Sequence, residues 1–240
     1  MTIHNARANG ASFFLDKDGF QLCRHQTKCH NLEELQSDVQ LAEIYCREIE
    51  AFLRELTGGT LAVVRRDSVQ VRCSINVNPA ISMTTPVRFA HSDNTDLSAQ
   101  DGIQSIMDQM ADRKVPFNPD QYSRYAIYNI WRCFSPAPQD IPLAVCDPHS
   151  IELSDEFVAT SVKRGSNNED IFHDTTVYRY NLKHRWLYFP NMNSEEVVIF
   201  KQHDTKGTLQ RTPHTAFDDP TCPTGLPTRK SVEVRAAVFF

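Results

Sequence analysis

No stretch of this 240-residue chain approaches the roughly 20 consecutive apolar residues that a membrane span requires. The N-terminal segment Met1-Thr-Ile-His-Asn-Ala-Arg7 lacks the charged-then-apolar pattern of a secretory signal, so a cytoplasmic location is the expectation. There is no run of lysine and arginine, and a net charge of -5 with a pI near 6.0 argues against a nucleic-acid partner. The seven cysteines, at positions 23, 29, 46, 73, 133, 146 and 222, contain no Cys-x-x-Cys pair. An odd, scattered set is neither a disulfide framework nor a zinc ribbon, and reduced thiols in a reducing compartment are expected. No repeat of fixed period and no linker divides the chain. With 40% apolar and 23% charged residues, an ordinary balance for a globular protein, a single domain over residues 1–240 is the simplest organisation.

What is present changes period along the chain. Short strands are expected at Ala11-Ser-Phe-Phe-Leu15 and Gly19-Phe-Gln-Leu22, around a turn at Asp16-Lys-Asp-Gly19. Val39, Ala42, Ile44, Tyr45, Ile49, Phe52, Leu53 and Leu56 then recur at three- and four-residue spacing, which predicts one long helix over residues 38–57, stopped by Gly58-Gly59. Its apolar stripe suits either the outer face of a sheet or a dimer contact. Segments 60–66 and 68–74 read as strands, and 76–82 as a loop. After a polar stretch, Ile103, Ile106, Met107 and Met110 predict a shorter helix, and residues 94–118 form either a lid or a plain surface excursion. From Tyr122 onward, short apolar segments separated by proline-bearing turns indicate a mainly β sandwich or barrel with flanking helices.

The chemistry is concentrated in a few of these segments. Arg88-Phe-Ala-His91-Ser-Asp93 carries an imidazole and a carboxylate two residues apart, and Pro213-His214 supplies a second imidazole far downstream. Two histidines and one carboxylate form the facial triad that holds ferrous iron and leaves coordination positions open. Parity on a strand, with bending of the backbone, lets His91 and Asp93 converge, while His214 must come from another strand. Arg229 and Ser231 are also two apart, so guanidinium and hydroxyl share a face and can together grip a carboxylate. Iron plus a carboxylate grip suggests 2-oxoglutarate. His173-Asp174 is the rival pair, and its adjacent residues point to opposite faces of a strand.

Six ordered blocks carry a family resemblance: Asn129-Ile-Trp-Arg132, Pro142-Leu-Ala-Val-Cys-Asp147, Arg185-Trp-Leu-Tyr-Phe-Pro-Asn-Met192, Glu196 to Asp204, Pro213-His-Thr-Ala-Phe-Asp218 and Arg229-Lys-Ser-Val-Glu-Val-Arg235. From about residue 57 to the C-terminus the chain resembles the AsaB/CmcJ-like hydroxylase/desaturase family of secondary metabolism. The resemblance implies a double-stranded β-helix (a cupin-like jelly roll), Fe(II), 2-oxoglutarate as co-substrate and O2. It implies His91, Asp93 and His214 as metal ligands and Arg229 with Ser231 as the 2-oxoglutarate grip. Hydroxylation, desaturation or ring formation on a small natural product is the implied activity, including aziridine formation from a branched amino acid such as valine.

Other residues carry two readings each. Arg235 shares a face with Arg229, Ser231 and Glu233, and either binds a substrate carboxylate or pairs with Glu233. Arg132 and Asn129 either line the substrate pocket or, for Arg132, form a buried ion pair. Tyr125, Trp131, Trp186 and Tyr188 are core aromatics or pocket lining. The spare arginines suggest a small substrate bearing a carboxylate, such as an amino acid. Two further functions stay open: an iron oxidase on the same scaffold that does not use 2-oxoglutarate, and a non-catalytic jelly-roll binding module.

Overall fold

In the computed structural model of the chain, all residues are described except 31, 33–34, 36–37, 74–84, 165–169 and 208–210. The segment expected to form a loop at 76–82 therefore lies outside the described residues. Two sheets dominate. The seven-stranded sheet contains β1 (Ile3–Asn5), β5 (His91–Ser92), β7 (Leu143–Cys146), β8 (Glu156–Arg164), β9 (Asp170–Tyr178), β10 (Trp186–Tyr188) and β12 (His214–Ala216), in the order β1-β10-β7-β12-β5-β9-β8. The six-stranded sheet contains β2 (Phe20–Arg24), β3 (Leu61–Val64), β4 (Gln70–Cys73), β6 (Tyr125–Cys133), β11 (Glu196–Asp204) and β13 (Lys230–Phe239), in the order β2-β11-β6-β13-β3. β4 also pairs with β13, so β3 and β4 share one side of that long strand.

The two sheets share a core. Trp131, Cys133, Val198 and Phe200 of the six-stranded sheet pack with Val145 and Leu187 of the seven-stranded one. Register fixes which side chains reach this interior: on β13 and β6, Ser231 pairs with Cys133, Glu233 with Trp131 and Arg235 with Asn129. Antiparallel partners directly opposite one another share a face. The alternate residues Val232, Val234, Ile130 and Tyr128 face outward and are covered by the long helix Val39–Thr57 through Tyr45, Cys46, Ile49 and Leu53. That helix begins where the Asp38 side chain accepts from the amides of Gln40 and Leu41, and ends at Gly58, whose φ of 70° is the left-handed cap that glycine adopts without strain. Its apolar stripe belongs to the sheet.

Two expectations are corrected, and one strand is added. Residues 11–14 form no strand, and Leu15–Asp18 is a single helical turn, closed by Gly19 at φ 79° before β2 begins. β8 was not foreseen, because its polar residues and exposed Val158 and Val162 give no buried face. The helix after Asp93 begins earlier than its apolar pattern indicates, at Asp96, because Thr95 and Ser98 cap it reciprocally, and it runs to Asp112. Its Ala99, Ile103 and Ile106 pack with Val63, Ile127, Ala237 and Phe239, so this helix is built into the core and is not a free lid.

Candidate active site

The shortest strand of the seven-stranded sheet, β5, lies beside β12 with His91 opposite His214, which brings the two imidazoles to 4.3 Å between ring centroids, tilted by 47° to one another. The chain turns immediately after Ser92, and that bend brings Asp93 back to them: its Oδ1 is 3.8 Å from His91 Nε2. One ligand atom from each of His91, Asp93 and His214 lies within 4.8 Å of the others, and all three residues are buried. Both rings are oriented in the same way. His91 Nδ1 is 2.9 Å from the carbonyl of Phe89 and His214 Nδ1 is 3.4 Å from that of Thr212, each two residues upstream. A proton on Nδ1 satisfies these carbonyls and leaves both Nε2 lone pairs for a metal, the outer support that metal-binding histidines usually receive.

The carboxylate is supported on its far side. Asp93 Oδ2 accepts from Arg235 Nε at 2.9 Å and from the side-chain amide of Asn129, so Oδ1 remains turned toward the imidazoles. Burial opposes ionisation of Asp93, yet Arg235 and the two imidazoles together hold its carboxyl well below the usual carboxylate range. His214 is displaced the other way: burial, with His91 beside it, lowers its pKa to about 3, so the ring is neutral and able to ligate. The backbone is pinned too. Gln202 accepts from the Asp93 amide at 2.7 Å and donates to the Thr212 carbonyl at 3.0 Å, so one buried side chain joins the segments that carry Asp93 and His214. It sits at the register shift of β11 against β6.

Comparisons with known proteins bear on this geometry. A family model described as Oxidoreductase/YMDC permease-like domain matches residues 1–239. The hydroxylase/desaturase efuI of Hormonema carpetanum is 32% identical over 260 residues, covering 100% of this chain and 83% of the relative. The chain belongs to the AsaB/CmcJ-like hydroxylase/desaturase family. Its hydroxylase/desaturase namesake asaB of Aspergillus flavus is 35% identical over 129 residues, 49% of this chain and 56% of that protein. Among solved structures, the iron and alpha-ketoglutarate-dependent endoperoxidase NvfI, named for an Aspergillus novofumigatus protein, superposes with a TM-score of 0.84 at 25% identity, covering 99% of this chain and 84% of its own. Among the described residues no helix is long and apolar enough to cross a membrane.

In this AsaB/CmcJ-like chain a narrow cavity of about 20 Å³ is lined by His91, His214, Trp131, Glu233 and Arg229. Arg229 is almost fully buried. Its Nη1 donates to the Ile141 carbonyl at 2.7 Å and its guanidinium lies over the Trp131 ring, 5.5 Å from the centroid. Among the described residues its Nε has no partner, and neither has the hydroxyl of Ser231. Unpaired buried polar atoms are rare. Burial lowers the Arg229 pKa to about 10, which leaves the group cationic at neutral pH. A carboxylate is the ligand that would satisfy both residues, so the donor set fits 2-oxoglutarate as well as the triad fits iron.

Three other residues weighed for the substrate are occupied elsewhere. Arg235 is held by Asp93, with Glu233 3.7 Å away. Asn129 donates to both Asp93 and Glu233. Arg132 faces the opposite side of the sheet, where it donates to the carbonyls of His25 and Ser194 and to the Tyr45 hydroxyl, outside the cavity. A signal for this was available: Asn129 and Arg132 are three residues apart, and on a regular strand odd separations fall on opposite faces. Gln202 and Arg72, which lines the cavity, were not singled out from sequence. Their places depend on a bulge and on pairing between distant strands.

Proposed function

We propose that this chain is an Fe(II)/2-oxoglutarate-dependent oxygenase of secondary metabolism, with His91, Asp93 and His214 holding the metal and Arg229 with Ser231 binding the distal carboxylate of 2-oxoglutarate. The observation that carries this reading is a cavity lined by both histidines of a buried two-histidine, one-carboxylate cluster and by Arg229, whose Nε, like the Ser231 hydroxyl, has no hydrogen-bond partner among the described residues. Relatives bearing the names Fe(II)/2-oxoglutarate-dependent dioxygenase and alpha-ketoglutarate-dependent dioxygenase support it. Iron with 2-oxoglutarate and O2 supplies the oxidant for an unactivated C–H bond. The protein's own part is to present three neutral or anionic ligands in fixed orientation, to fix the distal carboxylate, and to screen the site within two packed sheets. On this reading the two sheets form a double-stranded β-helix, the 240 residues act as one catalytic domain, and seven free thiols suit a reducing cytoplasm.

The reaction we assign is oxidation of a small metabolite, ending in hydroxylation, desaturation or ring closure. Aziridine formation from an amino acid is one such closure, and no pocket residue named here selects it. With Arg132 and Arg235 engaged elsewhere, neither supplies a substrate-carboxylate anchor.

The test is succinate release under air by anaerobically iron-loaded protein supplied with 2-oxoglutarate, alone and with candidate substrates. Succinate formed by wild type, and absent from His91→Ala and Arg229→Ala, supports the assignment. Iron bound without any succinate would move the weight to the oxidase that does not use 2-oxoglutarate. Failure of the folded protein to bind ferrous iron at all would favour the non-catalytic module.

A further inference from the structure

We propose that the substrate lies beside His91 on a shelf made by Phe89, Val177 and Phe157, with Arg179 at its outer edge. The shelf fits an apolar metabolite, longer than a single amino acid, that ends in a carboxylate; the proposal rests on the reading of the site given above.

Strand register builds the shelf. His91 of β5 pairs with Val177 of β9, and Val177 pairs in turn with Phe157 of β8. Residues directly opposite one another share a face, so all three side chains leave the sheet on the side of the triad. Phe89, two residues before His91, is on that side as well, since its ring centroid is 5.0 Å from that of His91. The Arg179 guanidinium lies over the Phe157 ring, 5.5 Å from its centroid. Two strand spacings, about 10 Å, separate His91 from Phe157.

Exposure and charge indicate what the shelf holds. Val177 is buried, whereas Phe89 is 56% exposed and Phe157 43%. Two phenyl groups open to solvent on the face of a buried ligand cluster stand where a bound apolar body would cover them. Val158, Val162 and Phe172 are also exposed, but Val158 pairs with Thr176 and Val162 with Phe172, so they point to the opposite face and have no part in the site. Among the described residues the Arg179 guanidinium meets the Phe157 ring and forms no ion pair. An arginine laid on an aromatic face keeps its N–H edge for a carboxylate. An acidic group held there stands at the end of the shelf away from the metal, which turns the apolar part of the substrate toward His91. A molecule of valine's size does not span that distance.

The probe is decanoate, an apolar chain ending in a carboxylate, added to protein loaded with Mn(II) and with N-oxalylglycine, an unreactive analogue of 2-oxoglutarate that fills the co-substrate position. Proton relaxation by the bound Mn(II) reports how near each end of decanoate comes to the metal, with Zn(II)-loaded protein as the diamagnetic reference. Titration of the same signal gives the affinity. The terminal methyl is expected to relax faster than the methylene beside the carboxylate. Phe157→Ser should weaken decanoate about tenfold, the order of one lost phenyl contact, and Phe172→Ser, on the opposite face, should leave it unchanged. Arg179→Gln should weaken decanoate about two- to fivefold and leave decanol unaffected. The proposal would be overturned by an absence of decanoate relaxation in the fully loaded protein, by faster relaxation at the carboxylate end, or by wild-type affinity in Phe157→Ser or Arg179→Gln. A loss in Phe172→Ser that matched the loss in Phe157→Ser would overturn it too. Failure of wild type to bind Mn(II), or of the Mn(II) protein to bind N-oxalylglycine, would instead overturn the reading of the site itself.

Discussion

Arg235 Nε lies 2.9 Å from Asp93 Oδ2, so the sixth residue of β13 holds the carboxylate of a proposed metal ligand from behind. A lone carboxylate in this buried position would tend to take up a proton. With a guanidinium behind it the group stays ionised, and its free oxygen stays on the metal side.

Arg235→Met should therefore act on stability and metal binding together. Breaking a buried ion pair from one side leaves an unpaired charge, typically at about 3–5 kcal/mol. A lost outer-shell partner reduces metal affinity roughly 10–100-fold. Urea unfolding of the metal-free protein and competitive Fe(II) or Mn(II) titration would measure the two effects. An Arg235→Met protein of unchanged metal affinity would show that the ion pair does not serve the ligand.

Gln202 offers a cleaner separation, because it touches backbone and no metal ligand side chain. Gln202→Leu removes the acceptor for the Asp93 amide and the donor to the Thr212 carbonyl at once. The Asp93 turn and the Thr212-Pro-His214 segment then lose their common brace, and metal affinity is expected to fall about tenfold or more. Gln202→Glu keeps the acceptor and loses the donor, and adds a charge near Asp93, so it should recover little. Electron paramagnetic resonance of added Mn(II) would report free against bound metal in each variant.

Much of the site was legible because it obeys strand parity. His91 with Asp93, and Arg229 with Ser231, are each two residues apart, and in the structure each pair faces the interior. The long helix was legible at both ends for equally local reasons, an aspartate cap and a glycine stop. What escaped depends on partners distant in sequence. Arg72 meets Ser231 only through the register of β4 on β13, across more than 150 residues of chain. Gln202 reaches Asp93 from a point where β11 slips against β6, between Lys201 and His203, and the sequence there carries no glycine or proline to mark it. β8 was hidden because an exposed edge strand needs no alternating apolar face.

Arg132 gives a contrast to Arg235. Its guanidinium is buried against Tyr45, His25 and Ser194 beneath the long helix, on the far side of the sheet from the metal. Arg132→Met should lower unfolding free energy by about 2–3 kcal/mol, since two carbonyls lose a charged donor. Metal affinity and N-oxalylglycine affinity should stay at wild-type values. A specific loss of ligand binding in a stable Arg132→Met protein would restore a role for this residue in the pocket.

The neutral state of His214 predicts how the metal-free protein responds to acid. Burial and the neighbouring His91 hold the folded-state pKa at about 3, against about 6.5 for an exposed histidine. Between these values the unfolded chain carries a proton at this residue that the folded chain does not, so stability rises with pH across the interval and falls as the solution is acidified from about 6.5 toward 3. The expected loss from this group is on the order of a few kcal/mol. His214→Gln removes the titrating group, so its urea midpoint should change less over the same range than that of wild type. Saturating Mn(II), which ligates the neutral ring, should move the wild-type decline to lower pH. Parallel pH profiles for metal-free wild type and His214→Gln would mean that the folded protein already carries a proton on His214 in this range, and the proposed ligand set would then have to compete with that proton for the metal.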